Sequence, residues 1–204
     1  MQLTEHVHIL DSTRGSYAYI ILDSDIVLID TGRPDQRRGI LRDLESLGVD
    51  LRQIKHILLT HHDLDHMGNA AFLQQASGAM VWASALDLPF IKGERHRPGI
   101  KRLIELVLHP IPPSNLHSYP ASNQVADVSV VPAPGHTPGH VCLAYEDVLF
   151  AGDLVHVVRG KAEPYPAFWN WDTRLLEESW LRVSRLAHRW LCPAHGRPID
   201  NLPR

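Results

Sequence analysis

LTHHDLDHMG, residues 59–68, is the stretch of sequence that decides how this chain is interpreted, and it overlaps the end of the apolar run HILL at 56–59. It places three histidines and two aspartates within eight residues, from Thr60 to Met67. Imidazole nitrogens and carboxylate oxygens are donors that proteins use to bind divalent metal ions. The end of a strand is a rigid place to hold such donors. The stretch therefore predicts a metal site at the end of a buried strand.

Side-chain alternation decides which of these donors face the same way. In an extended chain every second side chain points to the same face, so His62 and Leu64 are predicted to point away from the ligands, with Leu64 packed inward. A turn into a helix expected at 68–78 then brings His66 round to the ligand side. The donors expected on the ligand face of the extended stretch are His61, Asp63 and Asp65.

Length, composition and charge favour a globular protein with a substantial core. The chain has 204 residues, of which 44% are hydrophobic and 21% charged, and one large domain spanning 1–204 is the expected organisation. The net charge is −3 and no basic stripe suits a phosphate backbone, so nucleic-acid binding is not expected. No apolar stretch reaches the roughly 18 residues of a membrane span, and no signal peptide is evident at the N-terminus. We therefore expect a cytoplasmic protein without membrane contact, in which Cys142 and Cys192 are buried and reduced.

Hydrophobic patterns along the chain predict an α/β layered fold. Runs of β-branched and aromatic residues predict strands, while apolar residues at helical spacing followed by Gly48 or Gly78 predict helices. The helices are expected after Pro34, at 68–78 and near 173–188. The strands are expected at 16–22, 25–30, 54–60, 80–84, 127–133, 140–146, 148–153 and 189–196.

Two segments depart from this pattern. Region 85–122 combines a basic entry, a helix near 100–108 and a proline-rich loop, and is predicted to be a lid-like insertion. The aromatic loop YPAFWNW at 165–171 is typical of core or lid packing. Within it, Tyr165 is the candidate to bind substrate, because a phenol can donate a hydrogen bond to a developing oxyanion. The basic entry carries a charge run that is typical of a solvated surface, formed by Lys92, Arg95, His96 and Arg97. One of these residues would meet substrate only if the insertion folds over the site.

Three further segments have the same form as the first, an apolar strand that ends in a potential metal ligand. They are VVPAPGHTPGH with His136, VLFAGD with Asp153 and WLCPAHG with His195. Open α/β folds place their chemistry where strands end, because the sheet holds the adjoining loops. We therefore expect the four segments to converge on one cavity.

These motifs resemble a known set when they are taken in order. THHDLDH at 60–66, GHTPGH at 135–140, FAGD at 150–153 and PAHG at 193–196, preceded by LIDTG at 28–32, resemble the motifs of the metallo-β-lactamase superfamily. The resemblance covers nearly the whole chain and is specific only in combination. It implies an αββα sandwich with a dinuclear metal site at one edge and, usually, a hydrolase. It also divides the ligands: His61, Asp63 and His136 on one ion, Asp65, His66 and His195 on the other, and Asp153 bridging them.

Asp63 is where the chain departs from the superfamily pattern His-x-His-x-Asp-His, because an aspartate replaces the middle histidine. His62 is adjacent, but alternation points it away, which favours Asp63 as the ligand. Two divalent ions, a hydroxide and two carboxylates sum to a formal charge of +1, and the third carboxylate brings that sum to zero. We expect a neutral site to attract anionic substrates less. The extra oxygen donor shifts metal preference toward iron or manganese, although zinc remains compatible.

Several residues near the motifs have more than one interpretation. The superfamily uses the residue at Asp65 both to bind metal and to orient water or carry its proton, but Asp65 is also placed to cap a helix. Asp153 is also placed to cap a turn. Asp30 either turns the chain or supports the site from behind its ligands, and support is the favoured interpretation. His140 is interpreted as a packing or orienting residue, and His156 as either lining the pocket or exposed.

The leading hypothesis is a metal-dependent hydrolase in which a metal-bridging hydroxide attacks a small ester, lactone, thioester or amide. It would need two divalent ions, with zinc favoured and iron or manganese as alternatives, and a small-molecule substrate; a homodimer is compatible with the sequence. The alternative is an iron-dependent redox enzyme similar to flavodiiron proteins or sulfur dioxygenases. Flavodiiron proteins also place a carboxylate at the middle-histidine position, but the sequence contains no recognisable flavin domain. A metal-binding protein without turnover is disfavoured, because every ligand position of the motif set holds a competent donor.

Overall fold

The computed structural model describes residues 1–97 and 111–201. Contacts along the chain divide it into two compact units, Met1–Ser118 and Tyr119–Arg204, and each unit is built on a sheet of its own. The organisation expected from the sequence, one domain with a lid-like insertion at 85–122, stays a prediction. The helix expected near 100–108 lies outside the described residues.

The first unit contains a six-stranded sheet whose strands lie side by side in chain order. The first, second and third strands pair antiparallel, and the third to sixth strands pair parallel. Parallel neighbours need a connection that crosses over the sheet, and helices provide it after the third and fourth strands. The strands are β1 Val7–Ile9, β2 Tyr19–Leu22, β3 Ile26–Ile29, β4 Ile54–Leu58, β5 Met80–Ala83 and β6 Leu116–Ser118. The helices are α1 Arg37–Ser46, α2 Leu64–Met67, α3 Ala70–Ser77 and α4 Leu88–Ile91.

The second unit contains a sheet in the order β13-β12-β10-β9-β8-β7, with β11 paired to β10. Helix α5, Thr173–Val183, begins at Asp172, whose carboxylate accepts a hydrogen bond from Leu175 N–H at 3.0 Å. No helix of the described ranges is long and apolar enough to cross a membrane. The strands are β7 Gln124–Val125, β8 Val128–Pro132, β9 Val141–Tyr145, β10 Val148–Val158, β11 Lys161–Pro164, β12 Trp190–His195 and β13 Ile199–Asp200.

Most predicted elements are present, and the differences concern lengths and short strands. Gly78 follows α3 with a φ of 77° and Gly48 follows α1 with a φ of 70°, as expected of helix-ending glycines. Strand β10 runs five residues beyond the predicted end at 153, and α5 ends at Val183 rather than near 188. Strand β6 lies inside the region predicted as an insertion. Its three residues, Leu-His-Ser, are too few to show a strand pattern.

Both cysteines lie in the core of the second unit. Cys142 and Cys192 are free thiols without exposed surface, which confirms that both are buried and form no disulfide. Burial raises the pKa of both thiols well above its usual value, because the thiolate would lose its hydration. Neither thiol is therefore a candidate nucleophile or metal ligand.

Candidate metal centre

The donors of the first unit follow strand β4 in two pairs, one just before the short helix α2 and one within it. The chain bends at Thr60 and His62, Asp63 itself has an extended backbone, and α2 begins at Leu64, with His66 N–H and Met67 N–H bonded to the Asp63 carbonyl at 2.9 and 3.0 Å. The prediction of an extended stretch through Asp65 was therefore wrong. Leu64 is partly exposed rather than packed inward, because it occupies the first turn of a helix. The helical turn, not alternation, orients Asp65.

Each pair joins one imidazole and one carboxylate. His61 Nε2 lies 3.4 Å from Asp63 Oδ2, and His66 Nε2 lies 3.9 Å from Asp65 Oδ2. Two ligands of one tetrahedral ion, with bonds of about 2.0–2.1 Å, lie roughly 3.4 Å apart. Both imidazoles are buried and their rings are 3.9 Å apart, whereas the Asp65 side chain is 33% exposed. The spacing suits two neighbouring ions with one His–Asp pair each.

The donors of the second unit centre on Asp153. Its Oδ2 lies 3.5 Å from His136 Nε2, and its Oδ1 lies 3.3 Å from His195 Nε2. His136 is in the loop between β8 and β9, and His195 ends β12, which runs parallel to β10 and so brings its end beside Asp153. A carboxylate whose two oxygens face different imidazoles at ligand-shell distances has the arrangement that a bridging ligand needs.

In one imidazole of each unit, a side-chain oxygen lies within hydrogen-bond distance of Nδ1, the ring nitrogen that faces away from the carboxylate donors. Asp30 Oδ2 lies 2.8 Å from His66 Nδ1, and Asn170 Oδ1 lies 3.1 Å from His136 Nδ1. A fixed Nδ1 leaves Nε2 to bind metal, and carboxylate–histidine contacts of this kind orient ligands in metalloproteins. The donors of each unit therefore fit a divalent ion of the zinc, iron or manganese class.

Asp30 both turns the chain and contacts a predicted ligand, which are the two alternatives that the sequence left open. Its backbone has a φ of 55°, which turns the chain after β3. Its buried carboxylate accepts hydrogen bonds from Thr60 N–H at 2.8 Å and Thr60 Oγ1 at 2.7 Å in addition to its contact with His66. A non-glycine residue in the left-handed region costs about 1–3 kcal/mol, and these hydrogen bonds offset that cost.

His62 is held by packing of the first unit. Its ring stacks on Phe90 at 4.4 Å with an angle of 9° between the planes, and its Nδ1 lies 3.0 Å from Asp87 Oδ2. Asp87 is fully buried and its Oδ2 also accepts His62 N–H at 3.1 Å. The sequence offered no signal for Asp87, because it lies 25 residues from His62 in a region without regular pattern.

The remaining candidates of the second unit surround His136 and Asp153. Tyr165 is partly buried, with its ring edge-on to His136 at 4.8 Å and tilted against His195 at 5.3 Å. His140 Nδ1 lies 3.1 Å from the Ala133 carbonyl and its Nε2 accepts Asp153 N–H at 3.0 Å, which matches an orienting role. His156 is partly buried in β10, 5.9 Å from the Tyr165 ring.

Asp30→Asn is expected to weaken metal binding about 10- to 100-fold, the usual effect of removing a carboxylate that orients a ligand histidine. The Asp30 carboxylate can only accept a hydrogen bond from His66 Nδ1–H, which leaves the Nε2 lone pair available for metal. The amide of asparagine can also donate to Nδ1, so the variant no longer selects that tautomer. Competition with a chromogenic chelator measures the change. Asp35→Asn is the matched control, since that side chain is 71% exposed and pairs only at the surface. Equal affinities for Asp30→Asn and the wild-type protein would contradict a supporting role for Asp30.

Comparisons with known proteins agree with this chemistry. A protein-family model described as the metallo-beta-lactamase superfamily matches residues 12–195. The chain is 30% identical over 225 residues to the probable metallo-hydrolase YflN of Bacillus subtilis strain 168, covering 95% of this chain and 84% of that protein. These matches support metal-dependent hydrolysis in the broad sense.

Solved structures with the same fold confirm the predicted fold class, an α/β metallo-β-lactamase fold of the αββα type. The Rm3 metallo-beta-lactamase has a TM-score of 0.74 and 23% identity, with 96% of this chain and 77% of that chain covered. The protein TTHA1623, in a di-iron-bound form, has a TM-score of 0.71 and 27% identity, with 91% and 89% covered. At 23% identity the first likeness shows the fold alone.

Proposed function

Since the chain belongs to the metallo-β-lactamase superfamily, we propose that it is a metal-dependent hydrolase that cleaves a small ester, lactone, thioester or amide. The observation that carries the proposal is the Asp153 carboxylate, whose two oxygens face His136 and His195 at 3.5 and 3.3 Å. A carboxylate with both oxygens available to metal ions suits a two-metal hydrolytic site. The pairing of imidazoles with carboxylates in the first unit supports the same two-metal chemistry.

The residues that would hold the metals are those that the family motifs assign. One ion would take His61, Asp63 and His136, the second would take Asp65, His66 and His195, and Asp153 would serve both. Zinc is the proposed metal, because imidazole and carboxylate donors suit it. The oxygen of Asp63 in place of an imidazole nitrogen also makes iron or manganese compatible.

The protein's own groups would have separate tasks around the substrate. Bound divalent ions supply Lewis acidity and make water a nucleophile near neutral pH. Asp65 is the proposed catalytic residue, because its side chain is partly exposed and its carboxylate can accept the proton of the attacking water. Its backbone is held by a 2.8 Å hydrogen bond from Ser16 Oγ to the Asp65 carbonyl. The Tyr165 phenol is the proposed hydrogen-bond donor to the substrate oxygen that becomes negative.

An iron-dependent redox enzyme is the second candidate. Asp63 favours it, because a carboxylate at this position adds a hard oxygen donor. TTHA1623, which resembles this chain at 27% identity, has been solved in a di-iron-bound form. Oxygen or peroxide consumption by iron-loaded protein would separate this candidate from the hydrolase.

The test begins with elemental analysis of protein purified without added metal. We expect about two metal ions per chain and hydrolysis of at least one member of a panel of nitrophenyl esters, lactones, thioesters and amides. His195→Ala should lose both metal and hydrolysis, while His188→Ala, which removes a histidine outside the donor sets, should keep them. Metal-free protein that stays metal-free on addition of zinc, iron or manganese would overturn the proposal.

A further inference from the structure

Arg97 differs from the other members of the charge run in which it lies. Lys92, Arg95 and His96 are exposed, as expected of a solvated surface, but Arg97 is only 5% exposed. A guanidinium loses hydration when it is buried, so buried arginines are found with acidic partners. The expectation of a solvated run is therefore wrong for Arg97, and its burial points to a specific partner.

One such partner is Asp63, the aspartate at the position where the family pattern has histidine. Arg97 Nη1 lies 3.3 Å from Asp63 Oδ1, while Asp63 Oδ2 faces His61 Nε2 at 3.4 Å. The two oxygens of this carboxylate thus have different nearest neighbours: Oδ1 faces the guanidinium, with His62 Nε2 further away at 3.9 Å, and Oδ2 faces the His61 imidazole. The Asp63 side chain is 11% exposed and the Arg97 side chain 6%, so solvent screens the ion pair only weakly.

The first unit holds the backbone before Arg97 in place. Helix α4 is anchored through Phe90, which stacks on His62 at 4.4 Å. The chain then folds back, with Glu94 N–H and Arg95 N–H bonded to the Pro89 carbonyl at 2.8 and 3.0 Å. The guanidinium is therefore presented by a backbone that is tied to the residue next to Asp63.

We propose that Arg97 is a positioning residue that holds Asp63 as a single-oxygen metal ligand and offsets the negative charge of that aspartate. This inference rests on the proposed metal site. With Oδ1 engaged by the guanidinium, Oδ2 would be the oxygen left to hold a metal ion, and chelation through both oxygens would be disfavoured. Arginine suits this task because it stays charged and its planar fork fixes the carboxylate plane.

Counting the charge of Arg97 reverses the expectation, made from the sequence, that the site is neutral and attracts anionic substrates less. With Asp63 and two divalent ions, the ligand charges and one hydroxide sum to zero, and Arg97 brings the formal charge to +1. That value equals the one that a histidine at position 63 would produce without the arginine. The Asp63–Arg97 pair thus replaces the missing histidine in charge as well as in position, so the site keeps its attraction for anionic groups.

The test compares Arg97→Gln in two backgrounds, the wild-type protein and Asp63→His, with metal retention as the readout. Metal affinity is measured by competition with a chromogenic chelator on zinc-loaded protein. In the Asp63 background we expect Arg97→Gln to weaken affinity about 10- to 100-fold. In the Asp63→His background there is no carboxylate to hold or offset, so we expect less than about a threefold change. Arg95→Gln, an exposed neighbour, is the control and should change neither background.

Each result decides the proposal. Equal losses in both backgrounds would assign Arg97 a general structural role and overturn the proposal, as would unchanged affinity in both. If Arg97→Gln does not fold, Arg97→Lys keeps the charge without the fork, and the same dependence on Asp63 is expected with a smaller loss. Wild-type protein that binds no metal would overturn the proposed function itself, whereas normal wild-type binding with an unaffected Arg97→Gln variant overturns only this inference.

Discussion

Asp153→Asn is expected to lower hydrolytic activity about 10³-fold and to reduce the metal content below two ions per chain. The substitution keeps the size of the side chain but removes the charge that faces His136 at 3.5 Å and His195 at 3.3 Å. Lewis-acid stabilisation at a two-metal site is worth several kcal/mol, and about 1.4 kcal/mol corresponds to a factor of ten in rate. Steady-state kinetics together with elemental analysis of the same sample measures both effects.

A matched control for this variant lies in the turn before the same strand. Asp147→Asn removes an exposed carboxylate just before β10 and should leave activity and metal content unchanged. Circular dichroism should show the same secondary structure for both variants, since the amide fits the space of the carboxylate. Activity and metal content of Asp153→Asn within twofold of the wild-type values would rule out Asp153 as a bridging ligand.

Removal of metal by a chelator is expected to lower the melting temperature by roughly 10 °C. A ligand that binds only the folded chain adds about 4 kcal/mol of stability when its concentration is about a thousand times its dissociation constant. For a chain of this size each kcal/mol corresponds to roughly 2–4 °C.

Differential scanning calorimetry with and without chelator measures this shift, and elemental analysis must show that metal has left. Addition of zinc after removal of the chelator should restore the original melting temperature. Asp153→Asn should show a smaller chelator shift, because it holds less metal at the start. An unchanged melting temperature in protein demonstrated to be metal-free would contradict a structural contribution of the metals.

The sequence alone predicted the fold class and which segments carry the donors. Strands β4, β10 and β12 were recognisable because apolar runs are local features, and each of them leads into or contains a potential ligand. Helix α2 was missed because four residues are too short for a helical period. The division of the ligands between two ions came from family resemblance, since spacing along the chain does not say which oxygen faces which nitrogen.

Partners far apart in the chain required the tertiary structure. Asp30 meets His66 across 36 residues, and Arg97 meets Asp63 across 34. Arg97 lies in a charge run that is typical of an exposed surface, and nothing local distinguishes it from Arg95.

The sequence by itself determined the family and the fold and predicted the donor residues, because strand patterns and motif order are encoded in near neighbours. Only the tertiary structure decided which carboxylate oxygen faces each imidazole, that Asp30 contacts His66, and that Arg97 is buried against Asp63. The physical reason is that burial and pairing depend on which distant segments the folded backbone brings within hydrogen-bond distance. Local periodicity carries no information about that proximity.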